Sequence, residues 1–399
     1  MNAEEKYRTR KIFIFVHRWI GLTIGLVILV LGVTGSVIVY WREIDRTLNP
    51  ELEVQPQNGP MISLDEVLAI VKAAHPQRPK PWTVEMPYDE YAPYYATYSR
   101  PEERGLKYST NLHVAVNPYT GEILRSWYWG ETPISWLYDV HANLQMGLFG
   151  HKVVGAFGVV LLFVSATGLY VWWPIGGFRK RHFLVKTDSG LPRLELDLHR
   201  AGGFYSLPMM IIFAVTGYMF VFPAHLGKVV EKVSTLGQLT PMSLHGGDET
   251  HGTSHGQHKH DDPRYPESVP RDLPRLTLGE AVERALAVFP DATVKRVYSP
   301  AGEKGVYGVI LRRPVEHLAN TYPGTEVWLD QYDGRVIVKR DPGENSRGQD
   351  FLDAALPLHN GEFGGAAGRA FVCLVGLVPL LLFITGLTQW LRRRRRAVA

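Results

Sequence analysis

The stretch HRWIGLTIGLVILVLGVTGSVIVYW, residues 17–41, begins with His17-Arg18 and then runs 23 residues, 19–41, without Asp, Glu, Lys or Arg. A helix rising 1.5 Å per residue needs roughly 20 such residues to cross a hydrocarbon core of about 30 Å. Three more stretches meet that length, 153–178, 201–227 and 370–391. Four of them predict four transmembrane helices. The mean hydropathy of −0.08 hides this because the apolar residues are bunched. Their partner is the lipid bilayer.

Charge gives a direction. The segments 1–18, 174–200 and 392–399 hold 16 Lys+Arg against 5 acids, while 42–152 and 228–369 hold 27 against 34. The positive-inside rule then puts both termini and the short loop in the cytoplasm and the two long segments outside. Arg392–Arg396 reads as a stop-transfer anchor. With a net charge of only +4 over 399 residues, the chain lacks the concentrated basic excess of a nucleic-acid binder. Its single cysteine, Cys373, excludes an internal disulfide and covalent haem attachment through C-x-x-C-H. No small-residue cleavage site follows Tyr40, so the first span is expected to stay as an anchor.

The opening motif recurs. Thr34-Gly35 follows His17 by 17 residues, and in HRAGGFYSLPMMIIFAVTG (199–217) Thr216-Gly217 follows His199 by the same 17. Thr167-Gly168 follows His141 by 26 residues, and Thr385-Gly386 follows His359 by 26. The outside segments match as well. Leu64, Val67, Leu68 and Val71 mark one helical face, as do Leu278, Val282, Ala285 and Leu286. Strand-like runs 112–116 with 123–124, and 327–329 with 336–338, flank turns at Gly121 and Gly334. The expected fold is an α-helical membrane protein, four transmembrane helices with two outside α+β modules, internally duplicated about an axis along the membrane normal.

The boundaries follow: N-terminus 1–18, span 19–41, first module with an interfacial helix 42–152, span 153–178, loop 179–200, span 201–227, insert and second module 228–369, span 370–391, basic tail 392–399. The insert holds His245, His251, His255, His258 and His260 among Gly, Ser, Asp and Thr. Those five are candidate ligands for a loosely held divalent metal.

Four histidines occupy repeated positions, His17 with His199 and His141 with His359. A histidine near a bilayer is costly and marks a functional site by default. The duplication axis opposes each pair across the bundle. Two opposed imidazoles suit the axial positions of a haem iron, and zinc would ask for four tetrahedral ligands. Gly21 and Gly203, four residues after His17 and His199, make room for a flat macrocycle, with Gly147 and Gly365 a weaker parallel. Arg18 and Arg200 are candidate propionate partners. His151 aligns with Arg369 rather than with a histidine and is set aside as a ligand.

The motifs HRWIGL (17–22), IDRTLNP (44–50), LHR (198–200), LHNGE (358–362) and each Thr-Gly near a span end resemble the PepSY-associated transmembrane family of iron-regulated membrane proteins, which includes ferric-siderophore reductases. The resemblance covers nearly the whole chain. It implies two periplasmic PepSY-like modules on a bacterial inner-membrane protein. It also implies two b-type haems with bis-His ligation, and an oxidoreductase activity that passes electrons to a ferric siderophore and releases Fe(II). The path expected is from an inner donor to the His17/His199 level and then to the His141/His359 level. The donor is a quinol or a cytoplasmic reductase, because no GxGxxG, P-loop or flavin signature is present. Trp127, Tyr128, Trp129, Trp136 and Tyr138 are candidates for holding an aromatic siderophore, against the bland reading of an interfacial belt. Two rivals stay open: a membrane-held peptidase regulator without redox activity, since PepSY-type domains resemble peptidase propeptides, and a periplasmic divalent-metal handler built on the insert.

Overall fold

The computed structural model describes residues 3–78, 81, 83–99, 111–174, 177, 182–234, 267–316 and 324–398. It divides into a helical unit, Met1–Tyr40, Leu137–Phe222 and Leu358–Ala399, and a sheet unit, Trp41–Trp136 and Pro223–Pro357. The helices are α1 (Ala3–Thr23), α2 (Gly25–Ile38), α3 (Trp41–Leu48), α4 (Leu64–Ala74), α5 (Pro133–Asn143), α6 (Gly147–Trp172), α7 (Leu191–Val221), α8 (Pro223–Val230), α9 (Leu278–Val288), α10 (Arg347–Asp353), α11 (Ala355–Asn360), α12 (Gly365–Gly376) and α13 (Val378–Val398).

In the helical unit, α6, α7 and the stretch Glu362–Arg395 are each long and apolar enough to cross a membrane, with mean hydropathies of 2.1, 1.7 and 2.6. A fourth crossing exists if Tyr7–Thr23 and Gly25–Ile38, bent by 54° at their junction, count as one. The observed helices begin before the charge-free stretches, and α6 and α7 end short of them. α6 starts at Gly147 and ends at Trp172, where Pro174 blocks continuation. α7 starts at Leu191 because Arg193, Glu195 and Asp197 belong to its first turns rather than to a loop. Counting uncharged residues finds apolar length, and helix ends carry charge. Here that charge is paired. Asp197 is buried and accepts from Arg193 at 2.8 Å. Glu195 takes both Nη atoms of Arg392 at 2.7 and 2.8 Å, a bidentate clamp between α7 and α13.

The sheet unit holds one eight-stranded antiparallel sheet of order β4-β3-β2-β1-β5-β6-β7-β8, with strands Thr83–Glu85, Tyr94–Tyr98, Leu112–Val116, Ile123–Tyr128, Thr293–Tyr298, Val306–Arg312, Thr325–Asp330 and Val336–Arg340 as β1 to β8. Two four-stranded meanders, read from sequence as separate modules, fuse where Val84 of β1 faces Val297 of β5. That pairing removes two edges that would otherwise offer unpaired backbone groups to another chain.

Each meander is built alike. Ser63 and Glu66 form a capping box on α4, and Thr277 and Glu280 form one on α9. The turns after β3 and β7 contain Gly121 at φ 73° and Gly334 at φ 67°, a region that favours glycine. Tyr94 donates to the Ile62 carbonyl and Tyr307 to that of Leu276. Both helices pack on one face, where Val67, Val71, Val114, Ala281, Val309 and Val327 are fully buried. The helices are also tied together, since the Asp65 carboxylate accepts from the N–H groups of Leu278 and Gly279 at the start of α9.

Strand alternation sends a different set of side chains to the opposite face. Its first half presents His113 against Trp127 and Trp129, ring centroids 5.7 Å away in both cases. Its second half presents Glu326, which accepts from Trp328 Nε1 and pairs with Arg340. The His113 Nδ1 meets the Thr97 hydroxyl at 3.2 Å, and Nε2 is buried with no partner among the described residues. Burial pushes this imidazole down from its usual 6.5 to about 4. The folded protein therefore binds fewer protons here than the unfolded chain, so this site's stability is complete above pH 6.5 and is lost as the pH falls toward 4. In thermal unfolding of the full chain between pH 7 and pH 4.5, His113→Phe should lose less Tm than the natural protein. Parallel losses would show that His113 does not carry this dependence.

Candidate functional site: two opposed histidine pairs

His17 on α1 faces His199 on α7 with ring centroids 6.4 Å apart and planes crossed at 89°. His141 on α5 faces His359 on α11 at 6.2 Å and 66°. All four lie in the helical unit. The structure thus brings together both predicted pairs and no mixed pair among these ring contacts.

What holds them is a set of bonds that spacing alone did not assign. The Nδ1 atoms of His17, His199, His141 and His359 meet the hydroxyls of Thr167, Thr385, Thr34 and Thr216 at 3.1, 2.9, 3.3 and 2.7 Å. Each threonine already donates its own proton to a carbonyl in the preceding turn, Val164, Leu381, Val30 and Ile212 respectively. A hydroxyl so committed has only lone pairs left, so it accepts and the histidine donates. His141 makes this unambiguous, because its Nδ1 also reaches the Leu31 carbonyl at 2.9 Å and a carbonyl cannot donate. The proton therefore sits on Nδ1 in all four rings. Nε2, with its lone pair, is the nitrogen left for a ligand.

The glycine after each threonine completes the seat. A Cβ on Gly35 would stand 2.8 Å from His141 Cε1, and one on Gly168 would stand 3.0 Å from His17 Cε1. The same construction at Gly386 and Gly217 gives 3.5 and 3.9 Å, ordinary contact. The Thr-Gly pairs thus hold the histidines, with threonine fixing the tautomer and Gly35 and Gly168 admitting the rings of His141 and His17. Sequence reading used them as rulers and missed this role. Within each repeat the geometry is crossed: Thr34 serves His141 rather than His17, and Thr216 serves His359 rather than His199. No linear spacing could have shown that.

The arrangement fits an iron porphyrin's axial demand. A metal–imidazole bond of about 2.0 Å on each side, with nitrogen about 1.1 Å from its ring centroid, separates two centroids by about 6.2 Å. Burial also holds His141 and His359 below the ordinary imidazole range, so both are neutral and able to ligate; for His359, brought to about 3, proximity to His141 adds to the effect.

The other singled-out residues fall as follows. Gly21 has open space where a side chain would be, and Gly203 has only Leu382 at 3.8 Å. Gly147 and Gly365 take positive φ, 62° and 57°, as the first residues of α6 and α12. They are helix-start glycines, and no contact places them beside a ligand. His151 is buried with Nδ1 on the Ala142 carbonyl, and Arg369 caps the Val39 carbonyl and lies over Tyr40. The aromatic run is split by strand alternation, since Trp127 packs on His113 while Tyr128 joins the helix-covered core. Among the described residues no group of three His, Cys, Asp or Glu is placed to hold a metal ion. His245, His251, His255, His258 and His260 lie outside the described residues.

A helical unit with membrane-length apolar helices, joined in sequence to an antiparallel sheet unit, defines a membrane-associated protein. The chain belongs to the PepSY-associated TM region family, which matches residues 15–393, nearly its whole length. It is also similar to Uncharacterized protein PA4219 of Pseudomonas aeruginosa, 26% identical over 271 residues, 65% of this chain and 64% of that protein. The match therefore spans a little under two thirds of the relative.

The threonine bonds are not equally exposed to loss. His141 keeps the Leu31 carbonyl if Thr34 loses its hydroxyl, whereas for His359 the Thr216 hydroxyl is the acceptor at Nδ1. Removing such an outer partner costs about 10- to 100-fold in ligand-site affinity. Should the pairs hold haem, Thr216→Val falls in that range and Thr34→Val clearly below it, measured as the rate of haem transfer to apomyoglobin. Equal losses would mean that the threonines do not set the tautomer.

Proposed function

We propose that this protein is a di-haem electron-transfer protein of a bacterial inner membrane that reduces ferric siderophores on the periplasmic side, releasing Fe(II). The observation that carries the reading is the pair of facing, Nδ1-protonated histidine pairs. Four spans in two repeated halves, with both termini cytoplasmic, follow from the matched motifs and the positive-inside pattern. The sheet unit then lies outside as two joined PepSY-like modules.

His17 with His199 would hold one b-type haem near the cytoplasmic face, and His141 with His359 a second near the opposite face. When bound, such haems supply one-electron transfer at two depths. The chain's part is to fix them. On α7, His199 and Thr216 are 17 residues apart, a rise of about 26 Å, which keeps the two levels distinct. The threonine hydroxyls hold each imidazole's orientation and raise the basicity of Nε2. The apolar helices around the pairs keep water away and so strengthen each polar contact. At the outer end, a ferric chelate with hard oxygen ligands loses affinity once its iron is Fe(II).

Four changes test this. His17→Ala and His199→Ala should each remove the same haem, His141→Ala and His359→Ala the other, and His151→Ala neither. Haem counts per polypeptide with redox titration decide it, and two haems remaining in any of the four variants would overturn the pairing. In membranes, His359→Ala should abolish ferric-chelate reduction while leaving the inner haem reducible. Deleting residues 244–262 should leave the haem spectrum intact and lower zinc or copper uptake; loss of haem would instead make those histidines ligands.

A further inference from the structure

A cavity of about 340 Å³ lies between α7 and the last two helices, lined by Leu198, next in sequence to His199. Leu198, Gly202, Ser206, Val375, Val378 and Leu381 line it, with Phe183, Tyr205 and Phe371 among the remaining walls. Tyr205 is 63% exposed and Phe371 49%, so the cavity opens on the outer surface of the helical unit. If α7 and Glu362–Arg395 cross the membrane, that surface meets lipid. A volume near 300 Å³ is at the lower end for a small-molecule site.

One polar atom in it is out of order. Ser206 is 4% exposed, and its hydroxyl is buried with no hydrogen-bond partner among the described residues. Thr216 on the same helix, and Ser36, Thr34 and Thr385 on other apolar helices, all return their protons to a carbonyl four residues back. Ser206 does not, although Gly202 stands at that position. An unpaired buried hydroxyl costs free energy unless something fills its bond. The cavity is also close to the inner ligand: a Cβ on Gly202 would touch Leu381 at 3.4 Å, Leu381 accepts from Thr385, and Thr385 holds His199.

We propose that this cavity binds the ring of a lipid-soluble isoprenoid quinol, the electron donor, with Ser206 hydrogen-bonded to a ring oxygen. This rests on the di-haem reading above and names its donor. Each quinol would lose two electrons and two protons to become the quinone, and two Fe(III) chelates would each take one electron. The walls favour this occupant over others of the membrane. Among the described residues no Lys or Arg lines the cavity, so a phosphate headgroup or a nucleotide cofactor finds no counter-charge on those walls. An acyl chain would fill the space but leave Ser206 unpaired. A ring with oxygens at its edge and an isoprenoid tail leading out past Tyr205 and Phe371 meets both demands.

The test is photolabelling of the full chain in phospholipid nanodiscs with an azido derivative of decylubiquinone, mapped by mass spectrometry. Label is expected in 198–206 or 371–381, displaced by excess decylubiquinol and not by added phospholipid. Ser206→Ala should weaken displacement roughly fivefold, and Gly202→Leu should abolish labelling by filling the cavity, with the haem spectrum unchanged in Ser206→Ala. Label elsewhere, displacement by phospholipid, or an unaltered Ser206→Ala would overturn the quinol site. A natural protein that purifies without haem would instead overturn the di-haem reading, whatever the labelling shows.

Discussion

The bond from a buried histidine Nδ1–H to a threonine hydroxyl, made four times, is the constraint on which the helical unit depends. An imidazole in an apolar bundle is costly unless its polar atoms are satisfied. One nitrogen is satisfied by the threonine, and the other is left to a ligand. Because the threonine's own proton is spent on its helix, the bond has a fixed sense, and so does the ring. Everything nearby yields to it: glycine follows each threonine, α6 and α13 carry Thr167 and Thr385 to His17 and His199, and α2 and α7 carry Thr34 and Thr216 to His141 and His359. A change of threonine to valine would keep the shape and lose the sense.

Much of this was legible in the sequence, because matched spacings mark the important positions twice. The repeated spacings 17 and 26 picked out His17, His199, His141 and His359 from 15 histidines. The apolar stretches gave the long helices, and the matching turns at Gly121 and Gly334 gave the meanders. The crossing of the bonds was not legible, since Thr34 lies 107 residues from His141 and the sequence ties it to His17. Nor was the fusion of two meanders into one sheet, which depends on β1, a strand of three residues with no pattern of its own. The break after Thr23 escaped as well, since Ile24 is apolar like its neighbours and hydropathy does not register direction.

The two halves of the sheet differ on the face turned away from the helices. At matching places on the polar face the first half sets His113 against two indoles, and the second sets Glu326 against Arg340. The charged pair is compensated and the imidazole is not. The core face, by contrast, keeps a tyrosine-to-carbonyl bond and a capping box in both halves.

The central claim is that each level holds one iron between two crossed, Nδ1-protonated imidazoles. Low-temperature EPR of the oxidised full-length protein tests it most directly. With ligand planes at 89° and 66°, the account predicts two low-spin ferric signals of the strongly anisotropic kind that crossed imidazoles produce, and no high-spin ferric signal. A dominant high-spin signal, or a single low-spin species at one haem per chain, would contradict it.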